Sequence, residues 1–304
     1  MDLRWRTVVV TGAASGLGRE VALRFGRAGA GVVVVDRDTT GAEETADLVR
    51  ACRVKAWSFA VDLCDDDELP LLAGRLRDLG GADVLVNNAG GWTPGEQYPA
   101  ADPAAWSRTL DLNLRVPMRL TQLFLDALPD RRGRTDEPGA VVNVSSSAAV
   151  GTDPYGSPEY AAAKAGLVRF TTAMARPDVA SRARVTCVVP GWIGLDRAQR
   201  EWAALDPAER ATLPPLVPPA EVASTVVDLA TRGPAGTVVE MLLPQLRLSR
   251  ANWPLKSRLR GHFARDYPSA GPRARPRPGR PVDDADATGR VGASSPACRR
   301  TVAS

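Results

Sequence analysis

Histidine is almost missing from this chain of 304 residues, where His262 stands alone. One imidazole, in a stretch without helix or strand periodicity, disfavours a Ser-His-Asp hydrolase, an H-E-x-x-H protease and most histidine-ligated metals. No metal is therefore expected. Cysteine is scarce as well: Cys52, Cys64, Cys187 and Cys298 lie far apart and form no C-x-x-C pair. Such spacing suits reduced thiols in a cytoplasmic protein better than a disulfide frame or a zinc site. No apolar run approaches the ~20 residues that a bilayer span requires, and the first residues lead straight into a strand-like run without secretory character, so no membrane association is expected. Lysine is the last scarcity. Lys55, Lys164 and Lys256 stand against 36 arginines, which gives a lysine at a chemically meaningful position unusual weight.

The formal net charge of +4 invites a nucleic-acid partner, but its distribution argues otherwise. From Gln245 to Ser304 there are 13 Lys/Arg and 4 Asp/Glu, a net of +9, which leaves the body of the chain at −5. All the basic excess belongs to this segment, which holds Pro-Arg repeats between Gly271 and Pro281 and has little to bury. Residues 245–304 are expected to be a disordered, solvated tail, and no nucleic-acid partner is expected. A tail that binds nucleic acid or an anionic surface is the rival reading; it would show as steep salt dependence.

Through residue 244 short apolar runs alternate with helix-like stretches. The runs are Thr7–Val10, Val32–Val35, Val84–Val86, Ala140–Val144, Val185–Val189 and Thr237–Leu243, with a weaker one at Val54–Val61. They are continuously apolar rather than alternating, as parallel strands covered on both faces must be. Between them lie Arg19–Gly29, Thr40–Ala51, Asp65–Leu79, Pro103–Leu128 and Ser157–Arg176. The alternation predicts one α/β domain over residues 1–244: a Rossmann-like, doubly wound parallel sheet with helices on both faces. Residues 190–219 interrupt it as a long loop rich in proline, tryptophan and charge, which reads as a lid over a site.

Thr7–Arg19 is strand, glycine turn and helix. Gly12 permits the turn, Gly16 lets backbone approach a pyrophosphate, and Gly18 allows close helix–strand packing, while Ser15, Gly16, Leu17 and Gly18 offer a helix N-terminus to phosphates. A ligand-free glycine turn is the plainer alternative. Asp36 ends the second strand, where a carboxylate can accept from the adenosine ribose hydroxyls and repel a 2′-phosphate. This favours NAD, although Arg37 beside it could pair with that phosphate, leaving NADP open. Asp62 could meet the adenine edge; both acids could instead cap turns.

Ser157-Pro158-Glu159 reads as a helix start, with serine as N-cap and proline at the first helical position. Tyr160 and Lys164 then stand one turn apart on one helix face. A phenol near pKa 10 is a poor base at neutral pH, and an ammonium beside it lowers that value. Tyr160 could then exchange a proton with an alcohol or ketone as hydride moves. A surface Tyr–Lys pair is the bland alternative, yet a chain with 4 tyrosines and 3 lysines rarely forms one by chance in the helix after the fifth strand.

Over about residues 5–243 these motifs resemble, in order, the short-chain dehydrogenase/reductase family. T-G-x-x-x-G-x-G is Thr11–Gly18, N-N-A-G is Asn87–Gly90, N-V-S-S is Asn143–Ser146, Y-x-x-x-K is Tyr160–Lys164 and P-G is Pro190-Gly191. The resemblance implies that Ser146 holds the substrate oxygen, Tyr160 is the acid/base, and Lys164 contacts the nicotinamide ribose and tunes Tyr160. Asn113 resembles the asparagine that holds a relay water, and Asn88 and Gly90 resemble part of the cofactor-side loop. Pro190 and the Ile193 backbone would meet the nicotinamide end. The spacing from Ser146 to Tyr160 is one residue longer than the family pattern, which keeps Ser147 open as the functional hydroxyl. Leu195 replaces a common threonine. The resemblance also implies a homodimer or homotetramer.

Trp92, Trp192, Ile193 and Trp202 suggest a mainly hydrophobic pocket and an alcohol or ketone substrate on an apolar skeleton. Each could equally be plain lid packing. A nucleotide-sensing Rossmann protein without catalysis is the other rival, opposed by the presence of Ser146, Tyr160 and Lys164.

Overall fold

The computed structural model describes residues 1–92, 95–128, 137–151 and 155–241. Its strands are β1 (Thr7–Thr11), β2 (Gly31–Asp36), β3 (Ala56–Ala60), β4 (Val84–Asn87), β5 (Gly139–Val144), β6 (Ala183–Pro190) and β7 (Val238–Met241). They form one parallel sheet in the order β3-β2-β1-β4-β5-β6-β7. The chain starts in the middle, winds outward through β2 and β3, then returns to lay β4 against β1. That reversal makes a crevice between the carboxyl ends of β1 and β4, the usual ligand site of such sheets.

The continuous apolar runs are explained by the two faces. Val8, Val10, Val32, Val34, Val84 and Val86 belong to one buried cluster, and Val9, Val33, Val35 and Leu85 belong to the other. Each such side chain contributes about 1.5–3 kcal/mol when fully buried, so both parities favour apolar residues wherever no buried hydrogen-bond partner is at hand. On the first face lie α1 (Gly16–Arg27), α2 (Thr39–Arg50) and α10 (Pro219–Arg232), through Val21, Phe25, Ala46, Val222 and Val226. On the second lie α3 (Glu68–Asp78) and α5 (Val116–Ala127), through Leu69, Leu72, Leu120 and Phe124. Helix α4 (Pro103–Leu110) leads toward α5, and α6 (Pro158–Ala173) and α7 (Pro177–Ala180) connect β5 to β6.

A buried polar layer fixes α5 and α6 over the sheet. Asn87 Nδ2 donates to Asn143 Oδ1 at 2.9 Å and to Thr121 Oγ1 at 3.3 Å, and Asn143 Nδ2 donates to Thr171 Oγ1 at 2.9 Å. Such a network sets the register of helices that apolar contacts alone would let slide.

The stretch expected as one helix over Pro103–Leu128 is broken by a π turn at Asp111–Arg115, which carries Asn113. The expected 190–219 loop holds two short helices, α8 (Asp196–Ala204) and α9 (Pro207–Arg210), and its base is pinned by a parallel bridge between Ile193 and Val217. The weak strand expected from Val54 begins at Ala56, and the last strand is described only to Met241. His262 and the tail expected at 245–304 lie outside the described residues.

Candidate active site

The glycine turn is built as a cradle. Gly12 N–H donates to the Val35 carbonyl at 2.8 Å, which locks the turn to the end of β2. A Cβ on Gly18 would be driven into the Gly12 carbonyl and to 2.6 Å from Asn88 Nδ2, so only glycine lets α1 start this close. Gly16 differs: a Cβ there would meet only the Leu195 methyls at 3.5 and 3.9 Å. Ser15 and Gly16 are exposed, and Ser15 makes no side-chain cap to the helix, leaving the first N–H groups of α1 available to an anion. Asp36 sits at the rim, its two oxygens accepting from Ala14 N–H at 3.0 Å and Asp38 N–H at 3.1 Å. Each oxygen keeps a lone pair for a ribose hydroxyl. These residues fit a dinucleotide.

The next piece is Lys164, fully buried, with Nζ donating to the Val144 carbonyl at 2.9 Å and lying 5.7 Å from the Tyr160 ring centroid. Its amide carbonyl accepts from the Ser145 hydroxyl at 2.9 Å, which ties α6 to the end of β5. A Cβ on Gly90 would stand 2.6 Å from Asn113 Oδ1 and 3.1 Å from Lys164 Nζ, so the loop after β4 can pass this lysine only as glycine. Ser146 caps the 3-10 turn Ser147–Ala149 by accepting from Ala148 N–H at 3.2 Å, and it also interacts with the Tyr160 phenol.

The electrostatics differ from the sequence expectation. Burial pushes the Tyr160 phenol up to about 12; its contact with Ser146 opposes this, and the neighbouring Tyr155 phenol adds to it. Burial pulls Lys164 down to about 8, with the Cys187 thiol acting in the other direction. The expected lowering of Tyr160 by Lys164 is therefore absent from the chain alone. Desolvation outweighs a charge that is itself disfavoured at that depth.

The other expected site residues are held by the following contacts. The Asn113 side chain is wholly engaged with backbone, accepting from Gly91 N–H at 3.0 Å and donating to the Gly91 and Thr109 carbonyls at 3.1 and 2.9 Å. It holds the 90–91 loop in place against the π turn. Asn88 donates to the Thr11 and Gly12 carbonyls at 2.8 and 3.0 Å, fastening the loop after β4 to the glycine turn. Asp62 is exposed two residues beyond β3 and accepts from Cys64 N–H at 2.9 Å. Ser157 precedes α6 as expected, but its hydroxyl makes no capping bond and is buried without a partner among the described residues.

At the far end, Pro190 closes β6. The Ile193 carbonyl accepts from Leu195 N–H at 2.7 Å, while the flanking Trp192 carbonyl and Gly194 N–H pair with Val217. Trp192 meets Trp202 edge-on at 5.8 Å, and Trp92 lies beneath Arg197 at 4.8 Å. Ser147 follows Ser146 in the 3-10 turn, partly buried.

Three residues were missed. The Thr11 hydroxyl accepts from Asn88 and Ala89 N–H at 3.1 and 3.0 Å and donates to Val86, joining the loops after β1 and β4. Its place inside the glycine motif was the available signal. Tyr155 stacks on Tyr160 with centroids 6.2 Å apart, and Arg197 covers Trp92. Neither has a periodic signature.

The family model for short chain dehydrogenase matches residues 6–205. The 3-oxoacyl-[acyl-carrier-protein] reductase FabG of Pseudomonas aeruginosa is 32% identical over 243 residues, 77% of this chain and 94% of that protein. The cis-4-hydroxycyclohexanecarboxylate dehydrogenase of Sinomonas cyclohexanicum is 35% identical over 235 residues, 74% of this chain and 89% of that protein. Among solved structures, a 7α-hydroxysteroid dehydrogenase complexed with NADH and 7-oxo glycochenodeoxycholic acid superposes with a TM-score of 0.69 at 27% identity, covering 79% of this chain and 94% of that one. A nicotinamide-dependent oxidoreductase of the short-chain dehydrogenase/reductase family is what these matches and the geometry make of this chain, and it belongs to that family.

Proposed function

We propose that this oxidoreductase interconverts an alcohol and a ketone or aldehyde on a mainly apolar small molecule, with NAD as the preferred cofactor. The observation that carries the reading is the convergence of Ser146, Tyr160 and Lys164 beside the Gly90 loop, at the mouth of a crevice shaped for a dinucleotide. Asp36 at its rim supports NAD over NADP.

Ser146 Oγ holds the substrate oxygen against the Tyr160 phenol. Tyr160 gives its proton to the carbonyl oxygen in reduction, or takes it from the hydroxyl in oxidation. Gly12, Gly16 and Gly18, with the first turn of α1, hold the pyrophosphate, and Lys164 with the Ile193 backbone holds the nicotinamide ribose and amide. A bound nicotinamide supplies or accepts the hydride. The Trp192–Trp202 pair and Trp92 offer apolar surface to the substrate from the lid side.

The apolar groove of about 550 Å³ between α5 and α6, lined by Leu114, Met118, Leu125, Phe170 and Met174, supports self-association as a homodimer or homotetramer. No described helix is long and apolar enough to cross a membrane, and the free thiols Cys52, Cys64 and Cys187 suit a reducing cytoplasm.

A screen of secondary alcohols and ketones with NAD and NADP, comparing wild type with Tyr160→Phe, tests the reading. The variant is expected to lose about 10²–10⁴-fold in kcat, the span of a general acid or base. Equal turnover by the two proteins would sink the mechanism.

A further inference from the structure

Arg197 opens α8, the first helix of the lid, and stands close to the reacting groups. Its guanidinium carbon lies 4.8 Å over the Trp92 ring, two residues beyond Gly90, where an added Cβ would meet Lys164 and Asn113. Its charge also reaches Tyr155, whose phenol burial pushes up and Arg197 draws down. Tyr155 in turn stacks on Tyr160. The cation is thus one aromatic ring removed from the phenol that handles the proton.

The guanidinium is positioned rather than loose. Glu201, one turn along α8, accepts from its Nε at 2.7 Å, and Trp92 supports its face. The Nη pair has no acceptor among the described residues, although the side chain is half exposed. A guanidinium held at its Nε edge presents the Nη fork, whose planar geometry matches a carboxylate. A singly charged anion suits it, because Glu201 already offsets part of the charge. Trp92 lies beneath the guanidinium and Tyr155 is within reach of its charge, aromatic surface that fits an apolar skeleton between the anion and the reacting carbon.

We infer that Arg197 determines specificity for a hydroxy acid or keto acid, binding a carboxylate at the end of the substrate remote from Tyr160. The inference rests on the oxidoreductase reading above, since it takes Tyr160 as the reacting end.

The test is a pair of isosteric probes, cyclohexanecarboxylate and cyclohexanecarboxamide, titrated into the full chain with NADH present. Tryptophan fluorescence reports, because Trp92 lies under the guanidinium. Wild type is expected to bind the carboxylate about tenfold more tightly, which is about 1.4 kcal/mol. Arg197→Met should erase that ratio. Glu201→Gln should raise it about threefold, and added salt should lower it. Equal affinity of wild type for both probes, or the same ratio in wild type and Arg197→Met, overturns the inference, and so does tighter binding of cyclohexylphosphonate than of the carboxylate. If Arg197→Met fails to fold, the opposite-signed Glu201→Gln result decides. The titration needs no turnover, so failure of the carboxylate preference and absence of Tyr160-dependent turnover are separate results.

Discussion

Replacing the buried lysine should make the free chain more stable at neutral pH while abolishing its chemistry. Lys164 is fully buried, and burial takes its pKa from 10.5 to about 8. At ~1.36 kcal/mol per pH unit, keeping the ammonium charged in the folded chain at pH 7 costs about 3 kcal/mol relative to the unfolded chain. Lys164→Met keeps the aliphatic stem and removes that cost. It also removes the 2.9 Å bond to the Val144 carbonyl, a loss of about 1–2 kcal/mol. The net expectation is a gain of about 1–2 kcal/mol in urea unfolding at pH 7 without cofactor. The pH dependence gives the sharper check. A depressed folded pKa means that stability is present above pH 10.5 and is lost as pH falls toward 8, so the wild type recovers as pH rises. The gap between variant and wild type should narrow by about 1 kcal/mol between pH 7 and pH 9. In that window the raised Tyr160 phenol, near 12, remains protonated in the folded chain. A variant less stable than wild type at pH 7, or a gap that does not change with pH, would refute the attribution to a buried ammonium. In steady-state assays the same variant should lose most of its NAD-dependent turnover.

Two further outcomes test the cofactor crevice. Gly18→Ala forces a Cβ into the Gly12 carbonyl and against Asn88, both parts of a locked loop, so it should cost about 1–3 kcal/mol in thermal or urea unfolding and weaken NADH binding in fluorescence titration. An alanine variant that binds NADH as well as wild type would remove the glycine turn from the site. Asp36→Ala removes the rim carboxylate and its bond to Ala14 N–H, so the NAD-to-NADP ratio of kcat/KM should fall by about tenfold, equivalent to ~1.4 kcal/mol. An unchanged ratio would place ribose recognition elsewhere.

The strands were legible because the sheet is covered on both sides. A run such as Val8-Val9-Val10 sends alternate residues into two different apolar clusters, and no polar residue survives at either parity. Tyr160 and Lys164 were legible because helical geometry alone puts residues four apart on one face. The π turn was not legible: Pro103–Leu128 reads as helix throughout, and the extra residue at Asp111–Arg115 becomes visible only with Asn113 fastened to Gly91. Tyr155 and Arg197 were hidden for a related reason. Arg197 meets Trp92 across about a hundred residues of chain, and Tyr155 stacks on Tyr160 from the irregular segment before α6, so neither contact follows a local period.

Charge state was the least legible property, because spacing reveals neighbours and says nothing of depth. A tyrosine one turn from a lysine suggests an ammonium supporting a phenolate. In the folded chain the phenol rises to about 12 and the ammonium falls to about 8, so burial favours the neutral form of both. The pair as built in the free chain therefore resists the ionised arrangement that proton transfer from an alcohol requires. Groups already beside the phenol point the other way: the Ser146 hydroxyl lowers it, and a ligand oxygen placed between Ser146 and Tyr160 adds a further partner for the charged form. On the proposed function, the ionised phenol is therefore expected with the crevice filled rather than empty. Tyr160 and Lys164 share that burial, so the charge state of each depends on what enters beside them.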